Sequence, residues 1–477
     1  MTTAHDRILS DLGEFVAAAD CARLPESIVQ KAKACLLYGL AAGVASLRAP
    51  QPAQAARAAD LESTAGAEST TAVAAAGSTT AVAAAGSATR FIDQRRVAFP
   101  LAAFCNAVLL HSRVQEDAHP CGHLGVVAIP AVLSCAEAFG ATGDDTLAAL
   151  AAAYEVALRI GRDHVADLSA RGLRSTPAYG VFAAAACGAR LMKLEPAACA
   201  HGLALAANAA CGLREFVDAG TGEFPFHPGF AARNGLVCAT LAASGVDAAP
   251  TSLTGNAGFF KAFGGGADYG RRVCTRLGEE FEFEAIVYKP YPICQFLQAV
   301  ARGAIELKAR ANGRRPTSIA IRMRAFEADF IGIRYAGPFA TFPQAFMSAP
   351  FCAAAAWVNA DVTFAALHDF SNQAVLELTH KVSIIADSTR GRYAPRIEVT
   401  FDDGTLSEWE ADETTAAYRL TWDAAVHMNA KLCGEAHVGA SHSEALVAAI
   451  AGMDKAPDVR GLIAALAACV ADAQSHS

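Results

Sequence analysis

The run Leu147-Ala148-Ala149-Leu150-Ala151-Ala152-Ala153-Tyr154-Glu155-Val156-Ala157-Leu158 is apolar throughout except for Glu155. Alanine is the strongest helix former and lets neighbouring helices approach closely. The run therefore reads as a buried helix of a tightly packed helical body. It is not a membrane span: Glu155 interrupts it, as Arg190 and Lys193 interrupt Val181 to Leu194, and about 18 unbroken apolar residues are needed. The mean hydropathy of +0.27 thus comes from alanine-rich packing. With 53% hydrophobic and 18% charged residues, disorder is excluded.

Outward from this run, Leu101 to Ser244 reads as helix after helix. The breaks fall at Pro120, Gly140 to Gly143, Gly161 to Pro177, Pro196 and Gly220 to Gly229. Asp163 to Pro177 has few large apolar residues and is expected to be a surface-crossing loop. Upstream, Leu24-Pro25-Glu26-Ser27 is a helix start, followed by Ile28 to Val44 at helical spacing. Thr70 to Ser78 is repeated at once as Thr79 to Ser87, too short a period for a solenoid, and reads as a duplication that enlarges a surface loop or strand pair.

After Pro250 the texture changes. Gly264-Gly265-Gly266 marks a hinge, and Phe281 to Val287, Thr317 to Met323 and Ile397 to Phe401 alternate as strands do, the last running into the turn Asp402-Asp403-Gly404. Helical patterns return over Ala424 to Leu432, His442 to Met453 and Val459 to Ala471. The expected fold is mainly α. A large all-helical domain is formed by both chain ends (1–264 and 406–477), with a smaller inserted α+β domain (265–405).

A net charge of −8 with no basic run argues against nucleic-acid binding. None of the fourteen cysteines forms a C-x-x-C pair, and Met1 to Asp11 lack the order of a signal peptide. The cysteines read as small buried hydrophobes in a soluble cytoplasmic protein, with no membrane partner.

Chemistry concentrates in Asp117-Ala118-His119-Pro120-Cys121-Gly122-His123, where a carboxylate and two imidazoles sit beside turn formers between buried helices. His119 and His123, spaced i, i+4, could ligate a metal on one helix face, but Pro120 and Gly122 oppose a continuous helix. Acid/base work by an imidazole near Asp117 fits better. Lys289 follows a strand-like run and precedes Pro290-Tyr291-Pro292, which would aim its ammonium at a carboxylate or an enolate, or let it act as a base. Arg174, Ser175 and Thr176 before Pro177 make a carboxylate cradle at a helix start, to which Arg113, Arg171, His227 and Arg233 could add. Gly264 to Gly266 lacks the context of a nucleotide loop.

These stretches together resemble the MmgE/PrpD family, whose members include 2-methylcitrate dehydratase, cis-aconitate decarboxylase and iminodisuccinate epimerase. The resemblance runs from Leu24-Pro25-Glu26 and Lys31-Ala32-Lys33 through the Asp117 loop and Gly172 to Pro177. It continues to Gly229-Phe230-Ala231-Ala232-Arg233-Asn234-Gly235 and Lys289-Pro290-Tyr291-Pro292. It implies a homodimer with a cleft at the domain interface, no metal and no organic cofactor, and chemistry that starts from a proton removed beside a carboxylate.

By the same resemblance His123 matches the family's active-site histidine and Lys289 its lysine. The decarboxylase-like members carry histidine, lysine and tyrosine where this chain has Arg174, Phe224 and Phe351. An upstream aspartate becomes Arg113. Fewer proton carriers suit a simpler task, so the resemblance leads first to an epimerase of a small dicarboxylate such as iminodisuccinate. In that reading His123, Lys289, Asp117 and His119 are catalytic, and Arg174, Ser175, Thr176, Arg113 and His227 bind substrate. The alternatives are a dehydratase that removes water from a hydroxy tricarboxylate, and a non-catalytic carboxylate-binding relative. All three require residues 123, 174 and 289 to converge on one pocket.

Overall fold

The computed structural model describes residues 7–70, 86–266, 268–412 and 415–476. Most of the duplicated stretch, 71–85, lies outside them. Helices form wherever alanine dominates: α1 (Ile8–Ala17), α2 (Glu26–Val44), α3 (Pro50–Thr70), α4 (Phe99–His111), α5 (Gly125–Phe139), α6 (Gly143–Gly161), α7 (Val165–Ala170), α8 (Ser175–Leu191), α9 (Pro196–Asn208), α10 (Glu215–Ala219) and α11 (Phe226–Ala243). Leu147 to Leu158 lies wholly inside α6 and is buried along its whole length. The Thr142 side chain caps α6 by accepting the Asp145 N–H at 3.1 Å, with Asp144 and Asp145 in the first turn.

Small residues set the spacing. Around α8, packed between α5, α6 and α11, a Cβ on Gly235 of α11 would stand 2.4 Å from the Val181 carbonyl oxygen and 2.5 Å from Ala184 Cβ. Only glycine permits that approach. The C-terminal helices Trp422–Glu435, Ala440–Ala451 and Arg460–Ser475 return to pack on α2, so both ends of the chain build the same helical body. No helix among the described residues is long and apolar enough to cross a membrane.

The smaller region has a four-stranded sheet ordered Val382–Ala386, Pro316–Met323, Arg396–Phe401, Leu406–Glu410; the first pair is parallel and the others antiparallel. Ile319, Ile321 and Met323 are buried on one face, as their alternation predicts. The molecule is thus mainly α with a smaller α+β region. Its buried apolar side chains fall into two clusters. One is helical, spanning Ile8 to Ile286 and Leu420 to Ala473. The other spans Val287 to Tyr418 and recruits Val114, Ala118, Phe216, Val217 and Phe224.

Two local expectations are corrected. Asp163 to Pro177 is not a loop: α7 and the start of α8 occupy it, anchored by the fully buried Leu168 and by a bridge between Leu173 and Leu213. Phe281 to Val287 is not a strand, because Glu282–Ala285 forms a 3₁₀ turn. The Glu155 carboxylate of α6 accepts the Glu282 and Phe283 N–H groups at 3.2 and 3.1 Å, removing donors that a ladder would need. Only Val287–Tyr288 is extended, and it pairs antiparallel with Asp117–Ala118.

Candidate functional site

The pairing of Asp117–Ala118 with Val287–Tyr288 builds the site, because it sets the end of α4 and its following loop beside Lys289. Tyr38 of α2 clamps the junction, donating to the Lys289 carbonyl at 2.8 Å and accepting the Lys289 N–H at 3.3 Å. Between the two apolar clusters lies a cavity of about 320 Å³, lined by His111, Glu116, His119, His123, Arg174, Ser175 and Thr176 from one side and by Lys289, Cys294, Gln295, Arg324, Glu327, Arg392 and Tyr393 from the other. The residues at 123, 174 and 289 do converge on it.

At its inner end Glu116 and Lys289 form a buried ion pair with Nζ 2.5 Å from Oε1, and Nζ also donates to the Val114 carbonyl at 2.8 Å. Burial alone would raise the Glu116 pKa, but the Lys289 ammonium holds it well below the usual carboxylate range. The other oxygen of Glu116 lies 3.1 Å from His111 Nδ1, while His111 Nε2 contacts the Arg174 guanidinium. A guanidinium only donates, so His111 Nε2 accepts and Nδ1–H is given to Glu116. Burial, opposed by Glu116, leaves His111 neutral with its pKa lowered to about 4.

The two loop histidines differ in tautomer. His123 Nδ1 lies 3.0 Å from the Asp117 carbonyl oxygen, which only accepts; Nδ1 therefore carries hydrogen and Nε2 is left with its lone pair. Burial, and next the Lys289 charge, lower its pKa to about 3, so the ring is neutral and presents the Nε2 lone pair. His119 Nδ1 instead accepts the Cys121 N–H at 3.2 Å, leaving hydrogen on Nε2, 4.0 Å from Glu282. Burial lowers its pKa to about 4. The loop closes through Gly122 at φ +132°, a conformation that disfavours side chains, and the His123 N–H donates to Thr176 Oγ1 at 3.1 Å.

Arg174 is buried, donates to the Phe224 carbonyl at 2.6 Å, and stacks over Phe216 at 5.1 Å. Burial lowers its pKa to about 10, which keeps it cationic at neutral pH. His227 stands behind it, Nδ1 3.3 Å from the guanidinium, and does not line the cavity.

Three further expected residues face elsewhere. The Asp117 carboxylate accepts the Tyr154 hydroxyl at 2.5 Å and the Gly125 N–H at 3.1 Å, so it anchors the start of α5 inside the helical core. Arg113 binds Gln115 at 2.9 Å, Glu435 at 2.6 Å and the Ala45 carbonyl at 3.1 Å, away from the cavity. Arg233 pairs with Glu62 on the outer face. Phe224 and Phe351 are fully buried and line no part of the cavity.

Sequence reasoning passed over His111, Arg214, Arg324, Glu327 and Arg392, and gave Glu116 no role. Only Glu116 carried a signal, its place directly before the loop. Arg324 and Arg392 make no salt bridge among the described residues and add unpaired positive charge to the cavity. Arg214 donates to Ser169 at 2.8 Å and lies over Phe330 at 4.5 Å.

A helical body, an inserted α+β region and a cationic acid/base cavity between them define the class. Residues 10–272 match the MmgE/PrpD N-terminal domain and residues 291–424 the MmgE/PrpD C-terminal domain, and the chain belongs to the MmgE/PrpD family. It is similar to the cis-aconitate decarboxylase-like protein oryM of Aspergillus oryzae, 29% identical over 254 residues, covering 51% of this chain and 48% of that protein. It is also similar to a cis-aconitate decarboxylase of Aspergillus terreus, 29% identical over 229 residues, covering 45% of this chain and 46% of that protein. The chain spans about half the length of these relatives.

Proposed function

We propose that this chain is a cofactor-independent lyase that removes water from a small hydroxy tricarboxylate. The observation that carries the reading is the neutral His123, with a free lone pair on Nε2, in a cavity lined by Lys289, Arg174, Arg214, Arg324 and Arg392 against the carboxyls of Glu116 and Glu327. The surplus of positive charge suits a polyanion. His123 Nε2 takes the proton from the carbon beside a carboxylate. The released electron pair closes a carbon–carbon double bond as the neighbouring carbon–hydroxyl bond breaks, and the guanidiniums and Lys289 stabilise the enolate-like charge.

The epimerase reading, first from the sequence, falls behind. As the sequence suggests it, that reading uses Lys289 as the second base on the opposite face of the carbon, and the Lys289 amine is committed to Glu116 and the Val114 carbonyl. The names of the relatives also point to a lyase. The test is incubation with citrate, 2-methylcitrate, cis-aconitate and iminodisuccinate. A rise in short-wavelength ultraviolet absorbance with the hydroxy acids, lost in His123→Ala, is expected. Carbon dioxide release from cis-aconitate would make the chain a decarboxylase instead, and loss of optical rotation in iminodisuccinate alone would restore the epimerase.

A further inference from the structure

The elimination leaves one proton unassigned: the departing hydroxyl needs a donor, and none of the groups around His123 is suited to it. Lys289 is held in its ion pair, His111 gives its hydrogen to Glu116, and Arg174 does not release protons at neutral pH. The opposite wall of the cavity holds a candidate. Glu327 sits in the one-turn helix Ala325–Ala328, 1% exposed, and lines the cavity. Its Oε1 accepts the Tyr393 N–H at 3.0 Å, which fixes the carboxyl plane and leaves Oε2 without a hydrogen-bond partner among the described residues. It makes no salt bridge among those residues either, although the guanidiniums of Arg324 and Arg392 are near enough to favour its charge.

We infer that Glu327 is the proton donor of the cavity, delivering the hydrogen on Oε2 to the hydroxyl that leaves the substrate. The inference rests on the lyase reading and names the second half of its chemistry. The carbon-bound proton goes to His123 Nε2, the carbon–oxygen bond breaks, and Oε2–H supplies the proton that turns hydroxide into water. The cycle ends with imidazolium and carboxylate, which exchange protons with solvent. Substrate seated between the helical wall and Ala325–Ala328 is flanked by base and acid.

The surroundings favour a carboxyl that is protonated part of the time near neutrality. Burial raises the Glu327 pKa to about 7, opposed by the Tyr393 N–H and by Arg324 and Arg392. Of the elements packed against it, Val382–Ala386 brings no ionisable group and Pro316–Met323 brings only Arg322, which pairs with Glu398 at 3.6 Å. The Cys294 thiol, also on this wall, is pushed up to about 11 by burial and stays neutral. The Tyr393 hydroxyl is likewise raised by burial.

The test is the pH profile of kcat/KM for the hydroxy acid that the wild type dehydrates. Wild type should fall on the alkaline side with a midpoint near 7, as Glu327 loses its proton. Glu327→Gln keeps the acceptor for Tyr393 and should lower kcat about 10²–10⁴-fold, the ordinary worth of a general acid, with the alkaline limb gone. Glu327→Asp should restore part of the rate together with the limb. An unchanged limb in Glu327→Gln overturns the inference while leaving the lyase reading intact; absence of any tricarboxylate turnover in wild type overturns that reading instead. Independently of turnover, calorimetry of propane-1,2,3-tricarboxylate binding near pH 7, in buffers of different ionisation enthalpy, should show proton uptake in wild type and none in Glu327→Gln. Equal uptake in both counts against Glu327.

Discussion

Glu116 is the hinge of the site's charges, since Lys289 and His111 both turn on it. Removing its charge as Glu116→Gln strands a buried ammonium, which should cost about 3–5 kcal/mol in urea denaturation. Adding Lys289→Met should return most of that loss, because a buried pair replaced by apolar volume is nearly neutral in stability; no recovery would show that the pair organises more than itself. The neighbouring Asp117 behaves oppositely with pH. Burial raises its pKa from 3.8 to about 6, so its contribution is present below 3.8 and lost as pH rises through 6. Asp117→Asn keeps an acceptor for the Gly125 N–H, turns the Tyr154 hydroxyl into the acceptor of the new amide N–H, and should flatten that loss, on the order of 3 kcal/mol between the two limits, read as denaturation midpoints against pH. At this scale His123, Arg174 and Lys289 were legible because each stands on a local motif of turn formers. Glu327, Arg324 and Arg392 were not: each is an ordinary charge in its own neighbourhood and becomes part of the cavity only through tertiary packing.

Helix α6 is the element that holds the cavity open to chemistry. One side of it sends Tyr154 to Asp117, and Glu155 and Arg159 pair with each other while gripping the chain that leads to Lys289. Arg159 donates to the Val273 and Thr275 carbonyls at 2.9 and 2.8 Å, and Glu155 to neither, since it accepts from 282 and 283. Glu155→Ala should therefore leave Arg159 buried without a counter-charge, at about 3–5 kcal/mol. It should also raise hydrogen exchange at the Glu282 and Phe283 amides ahead of the rest of the fold; exchange unchanged at those two amides would rule out the grip. The same contact explains the misread strand. Alternation over 281–287 reports which side chains are buried, and burial against α6 gives that pattern without a ladder. Helical periodicity was the safer signal, because an alanine-rich helix of this length satisfies its own backbone wherever it packs. Gly235→Ala in α11 tests that packing: its Cβ meets backbone at Val181, so about 1–3 kcal/mol should be lost.

Across the whole molecule, the two apolar clusters meet around a cavity lined by more guanidinium and ammonium groups than carboxyls, a surplus that a bound anion relieves. Lys289 and Glu116 neutralise each other at its inner end, whereas Arg324 and Arg392 on the outer wall have no carboxylate paired to them among the described residues. A bound polyanion thus contacts both clusters and links their unfolding. Propane-1,2,3-tricarboxylate, which has no hydroxyl to eliminate, should raise the stability of the fold by about 2.7 kcal/mol at a hundred times its Kd, less at high salt. The Arg324→Ala, Arg392→Ala double variant should unfold like wild type without ligand, because exposed guanidiniums that make no salt bridge contribute little to stability. With ligand it should lose most of the shift. Calorimetric scans of both proteins with and without the tricarboxylate decide the matter: an equal shift in the two would mean that these two arginines take no part in binding the anion.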